Sequence, residues 1–534
     1  MTAAQTREID EYAISELKIP GATLMRRAAR HIAQTCLELL GDGGGERRAA
    51  VLCGAGNNGG DGLGAAAYLL RAGVSTRIFL LGDRGSLSPD PREMLRLAEE
   101  YGGVAEPFDA KTAGEYLRSG DAVVIDAIFG TGLARKIEGA ALDAIRLINA
   151  SGARVISADI PSGVMADTGE ILGEAVRADI TVTFTAAKPG HFLTPGCENT
   201  GELRVRGLGI PPYSLTDEAP ARQREIIASE LLTRRETAAE AIMPGDITLP
   251  RRGRDTHKYD YGDILMIAGS VGYTGAPVLA ARAATRAGAG VVRLGAPDGI
   301  YGTVAAKCSG EIVFPIPGGA AIGMGVWEEI SARAERADAV LIGPGLGNIS
   351  AARELIKNAL GQLKCPVILD ADGINALLGN IDILDNARAP VILTPHDGEF
   401  RRLAEQDRRY AGQYNRSEDI FAGGRLAAAR RYASAHGCAL ILKGYRTITA
   451  LPDGSAYINT TGGPALAKGG TGDMLAGVLT ALAGQGFPIK DACLAAVYLH
   501  GLAGDIAALR LGEYSVTAED VMDALAEAFL SVTV

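Results

Sequence analysis

The segment AKGGTGDMLAG, residues 467–477, joins a glycine-rich run to a single carboxylate, Asp473, directly before an apolar stretch. A glycine loop that opens a helix binds anions, because its free N–H groups and the positive end of the helix dipole face the ligand. A carboxylate there would repel a phosphate unless it had a separate task. We therefore interpret Asp473 as a general base that takes the proton of an acceptor hydroxyl, while the amides near Gly472 hold the transferring phosphoryl group.

Asp473 also has a purely structural interpretation, in which an acid in the first turn stabilises the helix through its dipole. Both interpretations require a helix directly after the glycines. Apolar residues recur there at helical spacing, and the face that they form consists of Met474, Leu475, Val478, Leu479 and Leu482.

Glycine-rich and polar segments also follow the predicted strands of the first half of the chain. GAGNNGGDG, residues 54–62, follows AAVLC; its glycines allow a ligand close to the backbone, and Asp61 is expected to cap the next helix. Asp126 ends the strand AVVIDA, Asp159 follows RVISA, and Lys188 follows ITVTFTA; STRIFLL is a further predicted strand of this half. Each signal is weak alone, because a strand-end aspartate is often a structural cap and a lone lysine usually lies on the surface.

The elements that position these residues alternate short β-rich runs with helical patterns. This alternation predicts an α/β protein with two doubly wound domains, each built on a mostly parallel sheet. In the second half the predicted strands are DILMIAG, GVVRLGA, DAVLIG, PVILDA, PVILT and ALILKG. Ligands bind beyond the carboxyl ends of such strands, so we expect one site in each domain. Three prolines within residues 207–222 predict the boundary.

Composition and charge restrict the classes of partner that this 534-residue chain is expected to bind. Its net charge of −10 argues against binding of nucleic acid or of an anionic membrane surface. The basic run at residues 251–258 is interpreted as a solvated loop, with phosphate steering as the alternative. Seven scattered cysteines without a CxxC pair predict reduced thiols, no zinc site and a cytoplasmic protein. The N-terminus lacks the apolar run of a secretory signal, and we expect no membrane span.

The first half carries three motifs in a specific order: GAGNNGGDG, DAIFGTGL and DIPSG. In this order they resemble the YjeF N-terminal family, the NAD(P)H-hydrate epimerases, over residues 1–210. The resemblance implies a Rossmann-like domain in which Asp159 faces the reacting carbon and acts as acid and then base. A potassium ion would lie near Asn58, Asp126 and Ser162. The residues that would contact the hydrated nicotinamide nucleotide are Asn57, Asn58, Gly59, Gly60, Asp61, Gly130, Thr131, Gly132, Leu133, Ala134, Arg135 and Lys136.

The second half carries DADGIN, TPHDGE, LKGYRT and AKGGTGD. GTGD before a helix resembles the ribokinase-like superfamily, and the four motifs together resemble the YjeF C-terminal family, the NAD(P)H-hydrate dehydratases. That resemblance implies phosphorylation of the hydrate by ADP or ATP with Mg²⁺, followed by loss of phosphate. Asp473 would be the catalytic base. The hydrate would be contacted by Ala276, Gly345 and His396 as well. The adenine nucleotide would be held by Lys443, Gly444, Tyr445, Arg446, Thr447 and Gly472.

The two resemblances together imply an enzyme that repairs hydrated NADH and NADPH. One domain, residues 1–210, would interconvert the two epimers, and the other, residues 235–534, would dehydrate one of them; residues 211–234 would link the two. We also expect a homo-oligomer, as is common for glycine-rich parallel-sheet proteins. The alternative is a metabolite kinase of the ribokinase-like superfamily joined to a nucleotide-binding domain without catalysis.

Overall fold

A computed structural model describes residues 1–41, 47–118, 122–210, 238–411, 420–421 and 423–533. Contacts divide the chain into two compact units, Met1–Ala238 and Ala239–Val534. The predicted linker, residues 211–234, lies outside the described residues. Each unit is an α/β structure with a largely parallel sheet, which confirms the predicted fold class.

The first unit is built on a seven-stranded parallel sheet in the order β3-β2-β1-β4-β5-β6-β7. The order reverses between β1 and β4, and at such a point ligands bind in open α/β sheets. The strands are β1 (Arg48–Gly54), β2 (Ser75–Leu81), β3 (Ala105–Pro107), β4 (Val123–Ala127), β5 (Val155–Ala158), β6 (Ile180–Phe184) and β7 (Glu202–Arg206). The helices are α1 (Ala3–Ser15), α2 (Gly21–Leu40), α3 (Asn57–Arg71), α4 (Pro89–Glu100), α5 (Ala110–Arg118) and α6 (Gly139–Ala150).

The second unit is built on a ten-stranded sheet in the order β11-β10-β9-β12-β13-β14-β15-β16-β17-β8. The strands are β8 (Glu240–Ile242), β9 (Asp263–Ile267), β10 (Val291–Pro297), β11 (Ile312–Ile316), β12 (Ala339–Ile342), β13 (Val367–Leu369), β14 (Val391–Leu393), β15 (Ala439–Leu442), β16 (Ile448–Ala450) and β17 (Ala456–Asn459). β16 runs antiparallel to both of its neighbours, β15 and β17. The other strand pairs in this sheet are parallel.

Eleven helices are described in the second unit. They are α7 (Gly275–Arg286), α8 (Asp298–Ala305), α9 (Val326–Ala334), α10 (Ile349–Gln362), α11 (Asp372–Asn375), α12 (Asp397–Glu405), α13 (Arg408–Ala411), α14 (Gly424–His436), α15 (Thr471–Gly484), α16 (Ile489–Leu511) and α17 (Ala518–Val532). Helix α15 is the one predicted after the glycine-rich segment, and the five apolar residues of its predicted face are all buried.

Every strand predicted from the sequence is present, but six further strands were missed. They are the sheet-edge strands β3, β7, β8 and β11, together with β16 and β17. Three of the edge strands are partly exposed to solvent and so lack the continuous apolar run that marks a strand buried on both faces. The other three are buried in part or throughout but only three or four residues long.

Helix α16 is long and apolar enough, by length and composition alone, to cross a membrane. In the structure 72% of its apolar window is buried inside the unit, as in the core helix of a soluble protein. Among the described helices no other meets the same test.

Candidate active sites

A cavity of about 830 Å³ lies at the carboxyl ends of the first unit's strands. Eight of the predicted site residues line it: Asn57, Asn58, Asp61, Gly130, Thr131, Gly132, Leu133 and Asp159. Ala134, Arg135 and Lys136 follow in the chain but are exposed outside this lining. The structure thus brings together segments after three different strands, as the sequence predicted.

Gly59 and Gly60 are buried in helix α3 and do not line the cavity. A Cβ at Gly59 would lie 1.7 Å from the Gly54 carbonyl oxygen, and one at Gly60 would lie 2.6 Å from the Met25 sulfur. These two glycines therefore allow close packing of helix α3. The helix begins at Asn57, so the prediction that Asp61 caps it is wrong: Asp61 lies in the second turn and contributes to the cavity wall.

Asp159 follows β5 with a left-handed backbone, φ +64°, which is uncommon for a residue other than glycine. Its Oδ1 accepts hydrogen bonds from Lys188 Nζ at 2.5 Å and from Thr183 Oγ1 at 3.0 Å. The Lys188 side chain is fully buried, so the expectation of a surface lysine is wrong. The lysine is retained in the core because it neutralises the carboxylate and also donates to Thr183 Oγ1.

Burial alone would raise the pKa of Asp159, but the Lys188 ammonium outweighs it and holds that pKa below its ordinary value. His191 assists through the backbone, since its Nδ1 accepts from the Lys188 N–H and its Nε2 lies 2.8 Å from the Asp159 carbonyl oxygen. Burial, reinforced by Lys188, lowers the pKa of His191 to about 4, so its ring is neutral and Nε2 donates. Asp159 is therefore ionised at neutral pH, which suits a carboxylate that stabilises positive charge.

Asp10 on helix α1 is a further acidic group in this cavity, and sequence reasoning missed it. Burial raises the pKa of Asp10 to about 6, opposed by Lys188 and reinforced by Asp159. Burial, with the charges of Asp159 and Asp10, raises the pKa of Asp61 well above its ordinary value. No motif surrounds Asp10 in the sequence, so nothing short of the tertiary structure would have indicated it.

The residues of the predicted potassium site lie together beneath the cavity. Asp126 is completely buried, and its carboxylate accepts from Ser157 Oγ at 2.7 Å and from Ser162 Oγ at 2.6 Å. Asn58 Nδ2 and Ser162 Oγ both donate to the Phe129 carbonyl oxygen, at 2.9 and 3.2 Å. Asn58 Oδ1 is buried and has no hydrogen-bond partner among the described residues. An unsatisfied buried acceptor costs free energy unless a cation or water fills the space beside it. The orphaned oxygen therefore fits a cation ligand.

In the second unit, Lys443 reaches from the end of β15 to the N-terminus of helix α15. A Cβ at Gly472 would lie 3.4 Å from Lys443 Nζ, which places the ammonium at the helix mouth. The same ammonium donates to Asp370 Oδ1 at 2.7 Å, and Thr394 Oγ1 donates to this oxygen at 2.7 Å as well. The predicted anion site thus combines a helix N-terminus with a fixed positive charge.

Asp473 lies in the first turn of helix α15 with the predicted glycines around it. Burial first, and then the charge of Asp370, raise the pKa of Asp473 to about 7, with Lys443 opposing and Glu399 adding to the effect. A carboxylate that only capped the helix would be stabilised in its ionised form. The raised pKa instead fits a general base, whose pKa is best placed near the working pH.

His396, predicted to contact the hydrate, is also the N-cap residue of helix α12. Its Nδ1 accepts from the N–H groups of Gly398 and Glu399, and Glu399 Oε2 accepts from the His396 N–H in return. Because Nδ1 is an acceptor, the neutral ring carries its proton on Nε2, and the side chain is 56% exposed. Nε2 lies 3.6 Å from Glu399 Oε1, and the exposed edge of the ring can also meet a substrate oxygen.

The predicted nucleotide segment, residues 443–447, is a tight loop between β15 and β16. Arg446 has a left-handed backbone, φ +58°, and donates to the Thr460 carbonyl oxygen at 2.5 Å, while Thr447 Oγ1 donates to the Gly444 carbonyl oxygen at 2.9 Å. Tyr445 is 43% exposed and stacks beneath the Arg446 guanidinium at 5.0 Å. The loop is therefore held by its own side chains and presents an aromatic ring to solvent.

The two remaining predicted residues, Ala276 and Gly345, lie at the ends of different strands. Ala276 is in the first turn of helix α7 after β9, and Gly345 follows β12 with φ +63°. A Cβ at Gly345 would lie 2.7 Å from that of Tyr273, so this glycine permits close approach of the two loops.

Known proteins match both units. The family described as YjeF-related protein N-terminus matches residues 21–190, and the NAD(P)H-hydrate dehydratase family matches residues 264–527. The bifunctional NAD(P)H-hydrate repair enzyme Nnr of Moorella thermoacetica is 36% identical over 98% of this chain and 95% of its own. Its counterpart from Thermofilum pendens is 36% identical over 99% of this chain and 96% of its own.

Among solved structures, an ADP/ATP-dependent NAD(P)H-hydrate dehydratase from Bacillus subtilis, co-crystallised with ATP and Mg²⁺, is similar to the second half of the chain. It is 28% identical, covers 55% of this chain and 99% of its own, and superposes with a TM-score of 0.46.

Proposed function

This chain belongs to the family of bifunctional NAD(P)H-hydrate repair enzymes, and we propose that it returns hydrated NADH and NADPH to the reduced cofactors. The first unit interconverts the two epimers, and the second dehydrates the S epimer at the expense of ADP or ATP. The observation that carries the proposal is the placement of Asp473, with its pKa raised to about 7, beside an anion site made by Gly472 and Lys443.

In the second unit, the substrate hydroxyl lies on the ring carbon beside nitrogen. The Asp473 carboxylate removes the hydroxyl proton as the oxygen attacks the terminal phosphoryl group, while Lys443 and the first amides of helix α15 hold the phosphoryl oxygens. The ring nitrogen then supplies the electron pair that expels phosphate, and loss of a proton from the neighbouring carbon restores the dihydronicotinamide. Ala276, Gly345 and His396 contact the hydrate, and the loop at residues 443–447 holds the adenine nucleotide.

In the first unit, the same hydroxyl leaves as water and a planar iminium forms. Water then returns to either face of the ring, which exchanges the epimers. The ionised Asp159 faces this cation and lowers its energy, and the segments at residues 57–61 and 130–136 bind the nucleotide.

Two ions complete the proposal. Mg²⁺ supplies charge neutralisation to the transferring phosphates in the second unit. Potassium fits the first unit, where the orphaned Asn58 Oδ1 lies beside the buried Asp126 and Ser162. We also propose a cytoplasmic homo-oligomer with domain boundaries at residues 1–210 and 235–534.

The test supplies a mixture of both NADH-hydrate epimers with ADP or ATP, Mg²⁺ and K⁺. We expect full recovery of the dihydronicotinamide absorbance together with stoichiometric inorganic phosphate. A stable phosphorylated product without recovered absorbance would identify a metabolite kinase instead. Recovery that stops at half of the mixture, with slow spontaneous exchange afterwards, would show that the first unit only binds nucleotide.

A further inference from the structure

Five carboxyl groups and two cations line the first unit's cavity, and of the cations Lys188 is buried whereas Arg7 is exposed. Asp10, Asp61 and Asp159 line the cavity together with Lys188. The ammonium is bonded to Asp159, as described above, and among the described residues neither Asp10 nor Asp61 forms an ion pair. Carboxyl groups that share one cavity disfavour each other's ionisation, so such a cluster tends to retain a proton near neutral pH.

Helix α1 holds Asp10 firmly in this cluster. Thr6, Asp10 and Ile14 recur at four-residue spacing on one helical face, and all three line the cavity. The start of the helix is fixed to the Asp159 segment, because the Ala3 N–H donates to Asp167 Oδ1 at 2.7 Å and Ala3 packs in one buried cluster with Ile160.

The epimerisation requires a proton donor, and Asp159 is poorly suited because Lys188 keeps it ionised. We propose that Asp10 is the general acid of the first unit and that Asp159 remains a carboxylate throughout the reaction. This rests on the proposed function of that unit. Asp61, whose pKa burial raises well above its ordinary value, lies in the same cavity and is placed to form a hydrogen bond with the substrate.

The proposed step balances in both directions. The Asp10 carboxyl gives its proton to the hydrate hydroxyl, the carbon–oxygen bond breaks, and water leaves with the bonding pair. The ring-nitrogen lone pair forms the carbon–nitrogen double bond of the iminium. When water adds to the other face, the π pair returns to nitrogen and the released proton returns to the Asp10 carboxylate.

The other charged groups that line the cavity with Asp10 come from several elements. They are Arg7 on helix α1, Asp61 on α3, Asp90 on α4, Glu138 before α6, and Asp159 and Lys188 in the loops after β5 and β6. Because burial and Asp159 raise the pKa of Asp10 to about 6 despite Lys188, its protonated form becomes rarer as the pH rises above that value.

The test follows exchange of one purified NADH-hydrate epimer without ADP or ATP, so that the second unit is silent. We expect Asp10→Asn to slow the enzymatic exchange by about 100-fold or more, and Asp10→Glu to retain part of it. Wild-type exchange should fall as the pH rises above about 6, and this fall should be missing from Asp10→Asn but present in Asp159→Asn. The matched control is Glu11→Gln, which changes an exposed carboxylate on the same helix and should match wild type.

Thermal unfolding of each variant separates loss of the acid from loss of the fold. Asp10→Asn exchange at the wild-type rate and pH profile would overturn the inference, as would loss of the pH limb in Asp61→Asn alone. A wild-type protein that exchanges no faster than buffer would instead contradict the proposed function of the first unit.

Discussion

The two sites use the same ingredients, an aspartate after a sheet strand or loop and a buried lysine, with opposite results. In the first unit Lys188 bonds directly to Asp159 and lowers its pKa. In the second, Lys443 bonds to Asp370 instead, and the pKa of Asp473 rises to about 7.

Burial raises the pKa of both aspartates; the directly bonded Lys188 reverses that effect at Asp159, whereas Lys443, which is bonded to Asp370, only opposes it at Asp473. A carboxylate that must stay charged beside a cationic intermediate benefits from a bonded ammonium. A base that must accept a proton near neutral pH needs its ammonium held by another carboxylate. Asp370, which is 2% exposed, performs this task in the second unit.

The largest expected effect comes from removing the base of the second unit. Asp473→Asn should lower the dehydration rate by about 10³-fold, because general-base catalysis is lost, while epimer exchange in the first unit stays at its wild-type rate. In the wild type, dehydration should rise with pH through about 7, since the ionised carboxylate is the active form. Phosphate release and recovery of the dihydronicotinamide absorbance measure the dehydration rate.

The matched control is Asp491→Asn, because Asp491 is also an acid in the first turn of a helix, α16, but is exposed. It should retain the full dehydration rate. Equal rates for Asp473→Asn and wild type would show that Asp473 merely caps its helix.

The next effect tests the bonded pair of the first unit. Lys188→Gln leaves the Asp159 carboxylate buried without its ammonium, so we expect a loss of about 3–5 kcal/mol in the free energy of unfolding and a slower epimer exchange. Denaturant unfolding measures the free energy of unfolding, and chromatography of the epimers measures the exchange rate. Lys111→Gln, on helix α5, is the control. Unchanged stability in Lys188→Gln would mean that the pair is not retained in solution.

The sequence was sufficient for the fold class, for the buried central strands and for the segments that meet at each site. It was insufficient where tertiary context decides. The sequence around Lys188 does not indicate that its side chain is buried, because its ion-pair partner Asp159 lies 29 residues away. Asp10 lacked a motif, and Asp61 looked like a helix cap because the glycines before it read as a loop. Two of them, Gly59 and Gly60, belong instead to helix α3, where close packing requires glycine.

A smaller effect is expected from Asp370→Asn, which would make the second site more like the first. Removing this charge frees Lys443 for Asp473 and takes away a repulsion, so the pKa of Asp473 should fall. We expect the acid limb of the dehydration pH profile to move about one pH unit lower, and the KM for the nucleotide to rise. Asp382→Asn, an exposed carboxylate elsewhere in the unit, should leave the profile unchanged. An acid limb that stays at its wild-type pH would contradict the conclusion that the partner of Lys443 influences the pKa of Asp473.

The smallest effect separates the two roles of His396. It sharpens the comparison because His191, the histidine beside Asp159 in the first unit, is buried and only positions its neighbours. His396→Ala should cost about 1 kcal/mol of stability through the lost helix cap, whereas Asn at this position can still accept from the Gly398 N–H. His396→Asn should therefore melt like wild type but raise the KM for the hydrate a few-fold, because the exposed Nε2–H is gone. A KM equal to wild type in the stable Asn variant would assign His396 to the cap alone, and the hydrate would then be oriented by the backbone at Ala276 and Gly345.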